Sequence, residues 1–337
     1  MTRDAEAIVV GAGVMGLATA RALARAGRDV LLCEQFTLGH DRGSSHGTSR
    51  IFRLSYPARE WVDRAQRALP HWRELEAEAG EPLLELYGSF DLGDWRPNRD
   101  ALAAAGAEHE LLDRADAERR FGLVLEPGER ALFQPHGGIA LADRTLTALA
   151  GSIRAHGGRI AEETRVVWVT DAGDGVRVGL EEGELTADAA VVTAGAWAPR
   201  LVDLANARAT RETTAYFRHD GPVPSLIDTT PSAGSGYALT APGRGVKASL
   251  HKTGRHLNPD APGEPDRGIA AAAGEWLARR LPAVDPEPAG LETCLYTTLP
   301  DDRFACERRG NVVVGSACSG HGFKFAPLVG AELAALL

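Results

Sequence analysis

Gly11-Ala-Gly13-Val-Met-Gly16, followed by the carboxylate of Glu34, is the first group in this chain whose types and spacing can do chemistry. Gly11 suits a tight turn, Gly13 leaves the backbone open to a pyrophosphate, and Gly16 lets a helix touch the preceding strand. The N–H groups that open the helix have no partner within it and sit at its positive end, where phosphate charge is favoured, so Val14 and Met15 are expected cofactor contacts. Glu34 can accept hydrogen bonds from a ribose diol and disfavours a cofactor carrying a 2′-phosphate. The chemistry implied is dinucleotide binding, FAD or NAD. The bland alternative is a Gly-rich turn with no ligand.

The elements around these residues favour the first reading. Residues 7–10 are a continuous apolar run, as in a parallel strand buried on both faces. Residues 17–26 are an Ala-rich helix, and 30–33 form the next strand, which delivers Glu34 at its end. A Gly/Ser/His-rich loop follows over 43–50. Then comes an amphipathic helix over about 59–80, with Trp61, Ala65, Ala68, Leu69, Trp72 and Leu75 on one face. A short strand pair is expected near 86–92, a charged helix near 113–121 and another helix over about 143–157. Strands are expected near 163–170, 175–180 and 183–186. Residues 189–193 read as a buried strand running into Ala194-Gly195-Ala-Trp197, small residues that let the backbone pass close to a cofactor. From 211 to about 288 the chain is richer in Pro, Gly and Thr and reads as mainly extended. A strand over 310–315 and a helix over 327–337 complete it.

Composition bounds the function. The chain of 337 residues has a formal net charge of -9, with 25% charged and 44% hydrophobic residues. It carries no nucleic-acid footprint, polybasic patch or apolar run of membrane-spanning length. The four cysteines lack metal-ligand spacing, so no metal site is expected. The opening Met-Thr-Arg-Asp-Ala-Glu leads straight into a strand, leaving no room for a signal peptide, and a cytoplasmic enzyme is the expectation.

Four further segments, in order, are His46-Gly-Thr-Ser-Arg50-Ile-Phe-Arg53, Gly245-Val-Lys247-Ala-Ser-Leu-His251, Thr293-Cys294-Leu-Tyr296-Thr297 and Ser319-Gly320-His-Gly322-Phe323-Lys324-Phe. With the glycine fingerprint, they make the chain resemble the monomeric sarcosine oxidase and N-methyltryptophan oxidase group of FAD-dependent amine oxidases, over most of its length and least over 95–240. The fold implied is α/β (α+β): a Rossmann-like FAD-binding domain interleaved with a mainly antiparallel β substrate domain. The division expected is 1–85, 145–210 and 289–337 for the first, with 86–144 and 211–288 for the second.

The resemblance also implies roles. Cys294 would bond through sulfur to the flavin's 8-methyl group, a tether that raises the redox potential; a small buried thiol is the alternative. Lys247 would place a cation where oxygen is reduced. Only Lys247, Lys252 and Lys324 occur in an otherwise Arg-rich chain, and two of the three fall on these segments. Arg53 and Lys324 would hold a substrate carboxylate, the first as a planar fork and the second as an ammonium. His46, Arg50 and His251 would line the flavin or its oxygen side, and Tyr296 and Tyr237 the substrate pocket. Further cofactor contacts are expected from Gln35, Ser45, Gly195, Trp197, Gly320, Gly322 and Phe323. The activity implied is oxidation of the C–N bond of an amino acid, with an N-methyl or cyclic secondary amine favoured, to an imine with release of hydrogen peroxide. The partners implied are an amine substrate and oxygen, and the expected state is a monomer. A biosynthetic imino-acid desaturase or dehydrogenase on the same covalent-flavin fold, and a non-catalytic dinucleotide-binding protein, are the alternatives.

Overall fold

The computed structural model describes residues 3–230 and 235–337; residues 1–2 and 231–234, which fall inside the expected domain ranges, lie outside the described ones. A strand apolar on both faces must be covered on both, and Ala5–Val10 lies inside an eight-stranded sheet. It runs parallel to Val30–Cys33 on one side and to Glu184–Val192 on the other. Arg159–Ala161 extends the parallel part beyond Val30–Cys33. The strand Glu184–Val192 is longer than its two expected pieces and serves two partners. Its first half pairs antiparallel with Val176–Leu180, and its last residues pair parallel with Val312–Ser316. Helix Val14–Arg25 packs between this sheet and helices Ala142–Ala155 and Ala326–Ala334. The approach to the last helix is close: a Cβ on Gly330 would stand 2.6 Å from the Cβ of Ala18. The amphipathic helix forms over Arg59–Ala79, burying Val62, Ala65, Ala68, Trp72 and Leu75 and ending on Gly80 in the left-handed region.

The second body is a nine-stranded sheet, antiparallel except where Ser225–Asp228 meets Ser89–Leu92. Its long strand Arg208–Phe217 carries Gly245–Leu250 on one side and the edge strand Pro288–Thr298 on the other. Alternation gives this sheet two different faces. Ala215, Phe217, Ala238, Val246 and Ala248 bury against Ala270, Ala273, Trp276 and Leu277 of helix Arg267–Arg280. The register sets Tyr216 opposite Lys247 and Lys247 opposite Leu239, with Tyr237, Glu292, Cys294 and Tyr296 following on that same other face. A three-stranded sheet of Ser49–Phe52, Gly138–Leu141 and Leu84–Glu85 lies alongside.

Three expectations differ from the structure. The strand Pro288–Thr298 lies wholly in the nine-stranded sheet, so a division at 289 cuts the substrate sheet from its own edge. Leu84–Glu85 and Ser89–Leu92 do not pair with each other; each joins a different sheet, because Gly88 turns the chain between them at φ 88°. Helix Arg267–Arg280 interrupts the segment read as extended. Its start is capped by the Asp266 carboxylate, which accepts from the Gly268 and Ile269 N–H groups.

Candidate active site

The two bodies enclose a cavity of about 540 Å³ that runs from the glycine turn to the polar face of the nine-stranded sheet. At the first end, Gly11 turns at φ 96°, and a Cβ there would stand 2.9 Å from the Thr193 carbonyl oxygen. Gly16 is tighter still, since its Cβ would sit 1.8 Å from the Gly11 carbonyl oxygen. Gly13 is different. It faces the open side, where a Cβ would meet only Ser45 Oγ at 3.4 Å, and Ser45 Oγ accepts from the Val14 N–H at 3.0 Å. Glu34 is buried beside this turn, accepting from the Ala12 N–H at 2.6 Å and the Phe36 N–H at 3.0 Å. Gly11, Gly13, Val14, Met15, Glu34, Gln35, Ser45, Gly195 and Trp197 all line the cavity. Gly16 does not; it is a packing residue, because its missing Cβ is filled by backbone rather than left for a ligand.

Midway, the loop over 43–46 clasps the strand that carries Cys294. The Leu295 N–H donates to the Gly43 carbonyl at 3.2 Å, and Cys294 Sγ lies 3.7 Å from the Ser44 carbonyl oxygen. His46 Nε2 lies 3.0 Å from the Thr293 carbonyl, which can only accept, so the proton is on Nε2 and Nδ1 carries the lone pair. Burial first, then Arg50 and Lys247, pushes His46 down to about 4, so the ring is neutral. Arg50 donates to the Ser49, Ser44 and His46 carbonyls at 2.6 to 2.8 Å and stands 4.0 Å from Cys294 Sγ. Burial raises the Cys294 thiol, and Arg50 opposes this. Lys247 is 5% exposed and reaches the Ser49 carbonyl at 3.4 Å. Burial, then Arg50, pushes its ammonium down to about 7.

At the far end, Arg53 donates to the buried Asp91 at 2.9 Å and lies over the Tyr56 ring at 4.6 Å. Lys324, 4% exposed, donates to the His321 carbonyl at 2.6 Å and also faces Tyr56, at 5.5 Å. Burial holds its ammonium well below the usual lysine range, and Arg53 adds to this. Helix Arg59–Ala79 fixes the turn that carries it, since Trp72 Nε1 donates to the Lys324 carbonyl at 2.7 Å. His251 lies between Tyr237 and Tyr296, with ring centroids 6.4 and 6.0 Å away, and burial drives it down to about 4. Gly320 makes room for this group, for a Cβ there would meet the Tyr296 ring at 2.7 Å. His46, Arg50, Arg53, Tyr237, Lys247, His251, Cys294, Tyr296, Gly320, Gly322, Phe323 and Lys324 all reach the cavity wall.

The residues fit a flavin dinucleotide. Backbone meets the phosphate end, an acidic side chain ends the second strand, and two cavity-lining polar atoms, His46 Nδ1 and Ser316 Oγ, are buried without a partner. Among the described residues no cluster of His, Cys, Asp or Glu could hold a metal, and no helix is long and apolar enough to cross a membrane.

Three residues of this arrangement, and the anchoring role of Trp72, escaped the sequence reading. Asp91 and Trp72 hold Arg53 and Lys324 from distant segments and leave no local signal. Glu292 and Tyr216 sit behind Lys247; alternation back from Cys294 would have placed Glu292 on the same face.

Residues 6–336 match the family model described as DAO, FAD dependent oxidoreductase. The chain is 33% identical to the peroxisomal sarcosine oxidase of Homo sapiens over 96% of this chain and 90% of that protein. It is 29% identical to the monomeric sarcosine oxidase of Bacillus sp. (strain B-0618), over 100% and 93%. Among solved structures, NikD, described as an unusual amino acid oxidase essential for nikkomycin biosynthesis, superposes in its open form with a TM-score of 0.89 at 28% identity, covering 99% of this chain and 94% of that one.

Proposed function

The chain belongs to the DAO family of FAD-dependent oxidoreductases, and from that premise we propose that it oxidises the C–N bond of a carboxylate-bearing secondary amine, N-methyl or cyclic, to an imine. The observation that carries this is one cavity with a dinucleotide cradle at one end and the cations Arg53 and Lys324 at the other, with Lys247 and Cys294 between them. A flavin held by the glycine turn and Cys294 would supply two-electron acceptance from the amine carbon and reactivity toward oxygen. The substrate gives up two electrons and two protons; oxygen takes up two of each and leaves as hydrogen peroxide.

The chain's own residues do the rest. Asp91 occupies one side of the Arg53 fork and leaves its remaining N–H groups for the carboxylate. Lys324 supplies the second charge from a position fixed by Trp72 and the His321 carbonyl. The same two cations disfavour a protonated substrate nitrogen, so the amine enters neutral and needs no protein base. His251, neutral at working pH, closes the pocket with Tyr237 and Tyr296. Lys247 presents its charge from the polar sheet face, where negative charge develops on oxygen. Cys294 would hold the flavin through a thioether to its 8-methyl carbon, a step that breaks the thiol S–H and one methyl C–H bond and delivers two electrons and two protons to oxygen as peroxide. The loop that clasps Cys294 and the Arg50 cation 4.0 Å from its sulfur, which favours the thiolate, support this. The same reading makes the enzyme a cytoplasmic monomer, the state a size-exclusion measurement checks.

Anaerobic mixing with N-methyl, cyclic and primary amino acids tests the proposal. Bleaching of the flavin by secondary amino acids, with recovery and peroxide on admitting air, is the expected result. Bleaching only by amines without a carboxylate would remove the roles of Arg53 and Lys324. A doubly oxidised product from a cyclic substrate would favour the desaturase reading on the same residues.

A further inference from the structure

Lys247 poses a physical problem that its motif does not solve. A buried ammonium is costly unless a counter-charge is near. Its nearest acceptor is the Ser49 carbonyl at 3.4 Å, which also accepts from Arg50 at 2.8 Å, so two cations share one carbonyl. Behind it lies a group that the flavin reaction does not use. Tyr216, paired with Lys247 across the strands, places its ring 5.8 Å from Nζ and donates its hydroxyl to Glu292 at 2.6 Å. Glu292 and the Tyr216 hydroxyl both border Gly47, where a Cβ would stand 3.5 Å from each and 3.6 Å from the Arg50 guanidinium. The outer oxygen of Glu292 is ion-paired with Arg244, which stacks on Tyr216 at 3.4 Å and reaches solvent.

We propose that Glu292, held by Tyr216, is the counter-charge that keeps Lys247 an ammonium, and that Arg244 trims its effect from the surface. This rests on the reading of Lys247 as the oxygen-side cation, and makes Glu292 a positioning residue for that step. The groups facing Lys247 can be counted from every packed element. Arg50 and Arg244 oppose its charge; Glu292 and, across Gly47, Asp143 support it; His46 is neutral; Cys294 and Tyr216 complete the shell. Glu292 is therefore one of two carboxylates set against two guanidinium groups, and the balance is close enough for one residue to tip it.

The three-lysine composition makes the test simple, because Lys252 is an exposed internal control paired with Asp302. Acetylation of the flavin-loaded full-length protein across pH, read by mass spectrometry, gives the midpoint of each lysine. In parallel, the ratio of the rate in air to the anaerobic bleaching rate is followed over the same range. Glu292→Gln is expected to lower the Lys247 midpoint and the pH at which that ratio falls by about one unit each. Arg244→Gln moves both the opposite way, and Lys252 stays put in both variants. Opposite signs are what charge control requires, whereas a packing defect would move both variants alike. If Glu292→Gln folds poorly, the Arg244→Gln shift and a smaller downward shift in Tyr216→Phe carry the test. Unmoved midpoints, or shifts of one sign in both charge variants, overturn the proposal. A wild-type protein whose flavin is bleached by amines but does not reoxidise in air would sink the oxidase reading; the labelling midpoints would still decide the role of Glu292.

Discussion

The glycine end of the cavity is walled mostly by backbone; the sheet end is walled by side chains. The first end is built around the turn over 11–16 and depends on absent Cβ atoms, with one carboxylate, Glu34, added and with Ser45 and residues 193–197 set against it. The second draws Arg53, Lys247, Cys294 and Lys324 from four separate stretches, each steadied by a further residue from elsewhere. A backbone cradle fails as a unit when the chain is pushed out of line. A side-chain cluster fails one function at a time. The two ends should therefore answer mutation differently, and that difference can be tested.

The largest effect belongs to the cradle. Gly16→Ala puts a Cβ 1.8 Å from the Gly11 carbonyl, where neither partner is a flexible side chain. A loss of at least about 3 kcal/mol is expected, with no yellow protein recovered. Gly13→Ala faces the open cavity and should cost about 1 kcal/mol or less in thermal melting while still abolishing flavin uptake. Equal melting losses in the two variants would break the distinction between packing and ligand-facing glycines.

Next comes an all-or-none chemical change at the sheet end. Acid precipitation of the wild-type protein should give a yellow pellet, and Cys294→Ser a colourless one with free flavin in the supernatant. Lys247→Met should leave anaerobic bleaching in place while slowing reoxidation by oxygen roughly 10²- to 10³-fold, the range for losing one preorganised charge. The same lysine has a pH signature. Its ammonium is lost as pH rises through about 7 in the folded chain, against 10.5 in its absence, so wild-type reoxidation should slow above that point. Between those two values the unfolded chain binds more protons, so stability rises with pH there, by at most about 1.4 kcal/mol per unit from this residue. Denaturant titration of Lys247→Met should show that rise flattened. A smaller effect is expected from Asp91→Ala, which frees Arg53 from its anchor. The apparent KM for a carboxylate-bearing amine should rise about tenfold, roughly 1.4 kcal/mol, with kcat less changed. Asp91→Asn, which keeps an acceptor in place, should recover most of it.

The same contrast explains what the sequence made legible. Strand Ala5–Val10, its helix and Glu34 were readable because their signals are local: an apolar run, glycine spacing and an acid at a strand end. The residues that line the cavity were found, but not those that hold them. Asp91 gives no sign in sequence that it pairs with Arg53, because the two segments meet only through tertiary structure. Helix Arg267–Arg280 carried a local signal, an Asp cap and an alanine run, that was outweighed by the Pro- and Gly-rich composition around it. The boundary at 289 failed for a related reason: Pro288–Thr298 is an edge strand whose partner lies some eighty residues earlier.

The smallest effect binds the two ends together. Glu34→Gln keeps the side-chain shape but replaces a charged acceptor beside the Ala12 and Phe36 N–H groups with a neutral amide. Such a change weakens a ribose contact by about 1 kcal/mol, roughly fivefold in affinity. In the wild-type background this loss should be invisible in flavin content, because the proposed Cys294 tether would hold the cofactor whatever the cradle's affinity. In the Cys294→Ser background it should appear in full as a fivefold rise in the flavin dissociation constant, measured by fluorescence titration. Should Glu34→Gln alone lower flavin content, the tether forms only after tight noncovalent docking, and the cradle precedes the sheet end in assembly. Should neither background show a change, Glu34 serves its two backbone partners and not the ribose, and recognition at that end is carried by backbone alone.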